Sequence, residues 1–108
     1  MSKTGFVTEL NDSPEFQRLL PGVPDTHGMK AGKVQVAPGA SCGQHSTKEN
    51  EEMLVFLQGQ GELAVGEDQV LQVGQGKVAY IPAQTLHDVS NTGSEPLIYI
   101  YCVAFAKE

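Results

Sequence analysis

The stretch GASCGQHSTKENEEMLVFLQG, residues 39–59, decides how this chain is read. A polar loop carrying His45, Thr47, Glu49 and Glu51 gives way at Glu52 to the apolar run Met53 to Leu57, and Gly59 ends it. Both alternating faces of that run are apolar, and so are both faces of Leu97 to Val103. A strand with one wet face alternates with polar residues, so these two strands are read as covered on both sides, once by the core and once by a second copy of the chain. A homodimer is therefore expected.

Working outward, glycines at 59, 61, 66, 74, 76 and 93 punctuate short segments rich in Val, Ile, Leu and Tyr. The segments are Lys33 to Ala37, Glu52 to Gln58, Glu62 to Val65, Gln69 to Val73, Val78 to Ile81, His87 to Asn91 and Pro96 to Phe105. Short strands at this rhythm predict an all-β sandwich or barrel with little helix. One segment stays open between helix and edge strand: Ser13 and Pro14 suit a helix start, yet Pro21 would stop it after about two turns. Residues 1–30 are read as an arm packing on a barrel formed by residues 31–108.

At 108 residues the chain suits one domain and one core. Seven basic against thirteen acidic residues leave a net charge of −6, which repels phosphate backbones and anionic lipid. Neither nucleic acid nor membrane is expected as a partner. The longest apolar run, Leu97 to Ala106, falls well short of the ~20 residues that span a bilayer. No secretory signal pattern opens the sequence, so a reducing, cytoplasmic setting is the expectation. Cys42 and Cys102 stand too far apart for a paired redox or metal motif and read as ordinary packing residues.

The chemistry gathers on residues 39–59 and on a second stretch, GKVAYIPAQTLHDVSN, residues 76–91, in which His87 opens a strand just after a Pro-containing turn. If His45, Glu52 and His87 all point into the barrel, they form a two-imidazole, one-carboxylate set that suits Fe(II), Mn, Ni or Zn and leaves positions open for water or substrate. Glu52 leading an apolar strand is otherwise an odd choice, because a buried carboxylate without a partner costs several kcal/mol. By strand alternation Glu51 faces the other way. His27 lies outside both stretches and reads as a surface residue, and Tyr80, Tyr99 and Tyr101 read as core or interface aromatics.

Order and spacing add to residue type. The two stretches resemble the paired signature of the cupin superfamily, G-x5-H-x-H-x3,4-E-x6-G followed by G-x5-P-x-G-x2-H-x3-N. Gly39, His45, Glu52 and Gly59 match the first and Gly76, Pro82, His87 and Asn91 the second, eight of the ten fixed positions. The resemblance implies a small jelly-roll β-barrel, usually dimeric, with one divalent transition metal per chain held near one end by His45, Glu52 and His87.

Two positions depart from it. The second histidine of the first motif is Thr47, and the glycine of the second is Gln84. A hydroxyl is a poor ligand for such a metal beside imidazole, so water, Glu49 or Glu51 would complete the shell, or the metal has been lost and the pocket kept. Gln84 either alters the turn that presents His87 or reaches a ligand. Val36, Leu54, Phe56, Val89 and Ile100 are the candidates to line an apolar pocket beside the site. Two readings follow: a metal-dependent dioxygenase, isomerase or lyase acting on a small organic molecule, or a non-catalytic ligand-binding or sensor barrel whose metal site has weakened.

Overall fold

The computed structural model of the chain describes residues 3–106. Nine strands follow one another: β1 (Gln17–Pro21), β2 (Lys30–Val36), β3 (His45–Ser46), β4 (Asn50–Gln58), β5 (Gln60–Val65), β6 (Gln69–Gly74), β7 (Val78–Ile81), β8 (Leu86–Asn91) and β9 (Leu97–Phe105). They form a five-stranded sheet in the order β1-β2-β9-β4-β7 and a four-stranded sheet in the order β3-β8-β5-β6. Every pairing is antiparallel. No helix occurs among the described residues. The fold is all-β, as the strand rhythm predicts, and of the jelly-roll type that the resemblance implies.

The core fills the space between the two sheets. Leu54 and Phe56 from β4, Leu97 and Tyr99 from β9, Leu63 and Val65 from β5, and Val89 from β8 meet there with Ile81 and Val36. The alternation that buries Leu54 and Phe56 turns Met53, Val55 and Leu57 to the opposite, outer face of the five-stranded sheet. Gly61 is required where β5 crosses closest to β8, since a Cβ there would lie 2.3 Å from the Ser90 carbonyl oxygen.

Seven strands are legible from the sequence and two are not. β3 is two residues long and carries no periodicity. The open segment before Pro21 is an edge strand, β1, paired with β2; the space between Pro14 and Pro21 is too short for a helix to earn back its nucleation cost. Ser13 Oγ accepts a hydrogen bond from the Glu15 amide (3.0 Å) in a local turn. The segment before β1 is strapped to the sheet. Gln17 bonds the arm at both ends of its amide, to Asn11 N (2.9 Å) and Glu9 O (2.8 Å), and the buried Lys33 ammonium donates to Asn11 and Ser13.

Candidate metal centre at one end of the barrel

β8 and β3 run side by side in the four-stranded sheet and set His45 directly opposite His87. β4 faces them from the other sheet and begins at the same end, so the inward alternation that buries Leu54 and Phe56 also brings Glu52 inward. The three residues predicted from the sequence therefore meet at one end, two from one sheet and one from the other. The His45 and His87 rings lie edge to face with centroids 4.2 Å apart. His87 Nε2 stands 3.4 Å from Glu52 Oε1. His87 is 2% exposed and Glu52 8%, whereas His45 is exposed.

Both imidazoles are oriented by backbone carbonyls. His87 Nδ1 bonds Thr85 O (3.1 Å) and His45 Nδ1 bonds Gly43 O (3.0 Å). A carbonyl only accepts, so each Nδ1 carries the hydrogen and each Nε2 keeps its lone pair. His87 Nε2 is buried and has no hydrogen-bond partner, an orphan in an otherwise well-satisfied interior. Burial pushes the His87 imidazolium pKa down, with the Thr85 carbonyl opposing and the His45 charge adding to the fall. Burial also raises the Glu52 carboxyl above its ordinary range, partly offset by His45. A neutral imidazole with a free Nε2 lone pair, held through Nδ1 by a carbonyl, beside a buried carboxylate is the donor chemistry of a divalent transition-metal site. The donor types fit the metal that the signature implies. Among the described residues, however, no three His, Cys, Asp or Glu side chains stand as a ready-made metal-holding group; His87 and Glu52 are poised together and His45 stacks against them from the exposed side.

The two departures from the signature have structural roles. Thr47 is buried, and its hydroxyl donates to Pro82 O (2.7 Å) and accepts from the Thr85 amide (3.1 Å). Its own amide bonds Thr85 O (3.1 Å), the same carbonyl that orients His87. Thr47 thus clamps the turn that presents His87, with its hydroxyl taken up by backbone. Gln84 adopts φ +56°, so the left-handed backbone that suits the family's glycine is kept here by a glutamine, and its amide donates to Lys48 O (2.7 Å). The loops before β4 and β8 are zipped together by these bonds.

Other candidate residues divide by face. Leu54 and Val89 are the inward neighbours of Glu52 and His87, and Val36 and Phe56 lie deeper in the packed core. Ile100 does not line the interior: it is one residue out of phase with the inward Tyr99 and Tyr101 and lies on the outer face opposite Val55. Glu49 is exposed in the loop and Glu51 accepts from the Tyr80 hydroxyl (2.8 Å) on the outer face, so neither is brought to Glu52 and His87. Tyr80 itself is exposed and is no core residue.

One pair escaped the sequence reading. Cys42 is exposed as a residue rather than packed, yet its sulfur lies 3.0 Å from the hydroxyl of the buried Tyr99. Burial pushes the pKa of the thiol up, and drives that of the buried phenol far up, so both stay protonated. Nothing in the spacing of residues 42 and 99 announces the contact, which arises because the β2–β3 loop pairs with β8 through Cys42 N and Val89 O (2.9 Å). Two clefts lie away from this end. One of about 540 Å³ opens at the opposite end among Gly59, Gln60, Gly74, Lys77 and Ser94, and one of about 280 Å³ lies on the outer face beside Lys33 and Leu57.

The cupin-domain family profile matches residues 32–103, and the chain belongs to the cupin family. A glucose-6-phosphate isomerase from Pyrococcus abyssi is 35% identical over 60 residues, 52% of this chain and 32% of that protein. The chain thus matches about a third of the length of that relative. A Cupin 2 conserved barrel domain protein from Salinispora arenicola superposes with a TM-score of 0.76 at 23% identity, covering 95% of this chain and 92% of the other. A predicted oxalate decarboxylase from Thermotoga maritima gives 0.77 at 20% identity over 84% and 79%. At these identities the two structures share the fold.

Proposed function

We propose that the protein is a metal-dependent cupin in which His45, Glu52 and His87 hold one divalent transition metal, Fe, Mn, Ni or Zn, and which binds or transforms a small organic molecule at that end of the barrel. The observation that carries this reading is the buried, unpartnered Nε2 of His87 beside Glu52. Leaving such an atom without a partner costs roughly 1–3 kcal/mol, and a cation would satisfy it together with the desolvated carboxylate. Glu52 and His87 would supply the two buried donors and His45 the third from the exposed side. When bound, the metal supplies a Lewis acid that polarises an oxygen of the organic molecule. The chain's own contribution is to fix the His87 tautomer through Thr85, to keep water from Glu52, and to hold the Cys42 and Tyr99 protons beside the site. The isomerase and decarboxylase names of the similar proteins are compatible with work on a small molecule at such a centre.

A second reading, a ligand-binding barrel without turnover or metal, is favoured by the commitment of the Thr47 hydroxyl to backbone and by the exposure of His45. Calorimetric titration of chelator-treated protein with Zn²⁺, Ni²⁺ and Mn²⁺ separates the two. The metal reading expects saturation near one ion per chain in the wild type and its loss in Glu52→Gln and His87→Gln, with the barrel still folded by circular dichroism. Equal uptake by both variants and the wild type would overturn it.

The outer face of the five-stranded sheet supports a homodimer. Met53 (45% exposed), Val78 (64%) and Tyr80 (59%) lie there with Val55, Ile98 and Ile100, the wide apolar surface that a self-complementary contact buries.

A further inference from the structure

The register of the five-stranded sheet brings two cations to the inward face at the β1–β2 edge. Arg18 pairs with Gly32, Gly32 with Tyr101, Tyr101 with Leu54 and Leu54 with Ala79. Directly paired residues share a face, and Leu54 is core, so Arg18 starts a row that runs along the floor of the interior. The next inward row runs from Lys30 through Val103 to Glu52 and Ile81. Lys30 and Glu52 are two strand spacings apart, about 10 Å between backbones, with half-buried Tyr101 and Val103 between.

Both cations are exposed and lie against neighbouring groups rather than a carboxylate. Phe16 stacks on Tyr101 (centroids 6.2 Å, 17°), and the Arg18 guanidinium carbon lies 5.9 Å from the centre of the Phe16 ring. Gly32 makes this possible, since a Cβ there would meet Phe16 at 2.5 Å and Tyr101 at 2.7 Å. The Lys30 stem runs beside Gly22, where an added Cβ would lie 3.0 Å from its Cε. Among the described residues neither Arg18 nor Lys30 has a carboxylate within ion-pair distance. The Tyr101 hydroxyl, lifted by burial, also feels Arg18 pulling its pKa down and Glu52 pushing it up; one phenol senses both the edge cation and the buried carboxylate. Of the chain's seven basic residues, these two stand in neighbouring inward rows at one edge of the sheet.

We propose that Arg18 and Lys30 anchor an oxyanion group, carboxylate or phosphate, of the small molecule that reaches Glu52 and His87, so that the ligand of this barrel is a short organic acid or phosphate ester. The inference rests on the barrel-end site described above and adds its ligand class. Arg18 presents a planar fork suited to an oxyanion and Lys30 a point charge. The metal end would face the other extremity of the molecule.

The test is a titration of ¹⁵N-labelled protein, followed by amide shifts, with succinate, malonate and glycerol phosphate and with the uncharged succinamide, malonamide and glycerol. The expected result is that anions perturb Arg18, Lys30, Glu52 and His87 together and bind at least tenfold more tightly than their neutral counterparts. Arg18→Gln and Lys30→Gln are both at the exposed edge and are expected to fold; each weakens anion binding about five- to tenfold and flattens its salt dependence. Preference for succinate and malonate over glycerol phosphate, or the reverse, identifies the oxyanion. Binding at Glu52 and His87 that is equal for charged and neutral probes, or unchanged in both variants, overturns the anchor. Absence of any perturbation at those residues by every organic probe overturns it as well. A parallel Zn²⁺ titration that leaves the Glu52 and His87 amides unmoved instead overturns the metal reading, whatever the organic probes do.

Discussion

Glu52 and His87 are shifted by burial toward their neutral forms, in opposite directions on the pH scale. The Glu52 pKa rises from its ordinary 4.5 on folding, so its contribution to stability is fully present below 4.5 and is lost as pH rises through the raised value. The His87 pKa falls from 6.5, so its contribution is present above 6.5 and is lost as pH falls through the lowered value. In chelator-treated protein, Glu52→Gln should therefore be more stable than wild type at pH 7, the gap closing below pH 4.5. Urea unfolding at pH 4 and pH 7 measures this, and a wild type more stable than the variant at pH 7 would refute the burial argument. Thr47→Val keeps the shape but strips Pro82 O and the Thr85 amide of their buried partner. A loss of ~1–3 kcal/mol is expected, whereas a cost below 0.5 kcal/mol would mean the clamp is idle. At Gln84 the left-handed backbone costs about 1 kcal/mol, and a glycine recovers it while loosening the unfolded chain by a similar amount. Gln84→Gly should therefore change stability little, and the β-branched Gln84→Val should cost at least ~1 kcal/mol.

At the level of elements, the turn after β8 is held by one side chain. Asn91 is buried and donates to Val36 O (2.9 Å) and Glu95 O (2.9 Å), while its carbonyl accepts from the Gly93 amide (2.9 Å). It ties the end of β2 to the turn between β8 and β9, far along β8 from His87. Asn91→Ala is expected to cost ~2–4 kcal/mol in chemical denaturation, with the His87 end unaltered in its amide shifts. The signature spacing marks Asn91 as a fixed position, but only the contacts show that its work is structural. The long strands β4 and β9 were legible as unbroken apolar, β-prone runs bounded by turn residues. β1 and β3 offer no such run, since β3 is two residues long and QRLLP in β1 does not alternate cleanly around its bulge. The same limit explains Ile100, whose apolar character was plain while its face was not. In a strand apolar on both sides the phase is fixed only by the partner strands.

On the scale of the whole molecule, the apolar outer sheet face is the feature that the double-sided strands announce. Met53→Glu is exposed enough to leave the monomer folded, and in sedimentation equilibrium it should convert a dimer to a monomer; a wild type that is already monomeric at tens of micromolar would contradict the proposed contact. That His45, Glu52 and His87 belong to one end was legible only through the resemblance to the cupin signature; the register of β3 with β8 and the inward phase of β4 bring them together. What spacing could not carry is side-chain commitment: that Thr47 is spent on backbone, that the Cys42 sulfur lies against the Tyr99 hydroxyl, and that Arg18 and Lys30 share the interior face.

The central claim is that the orphaned His87 nitrogen and buried Glu52 are there for a metal ion. Elemental analysis by mass spectrometry of protein purified without a polyhistidine tag or chelator tests it most directly. The account predicts close to one Fe, Mn, Ni or Zn per chain in the wild type and close to none in His87→Gln. A wild-type value near zero that stays there after incubation with each of these ions would contradict it.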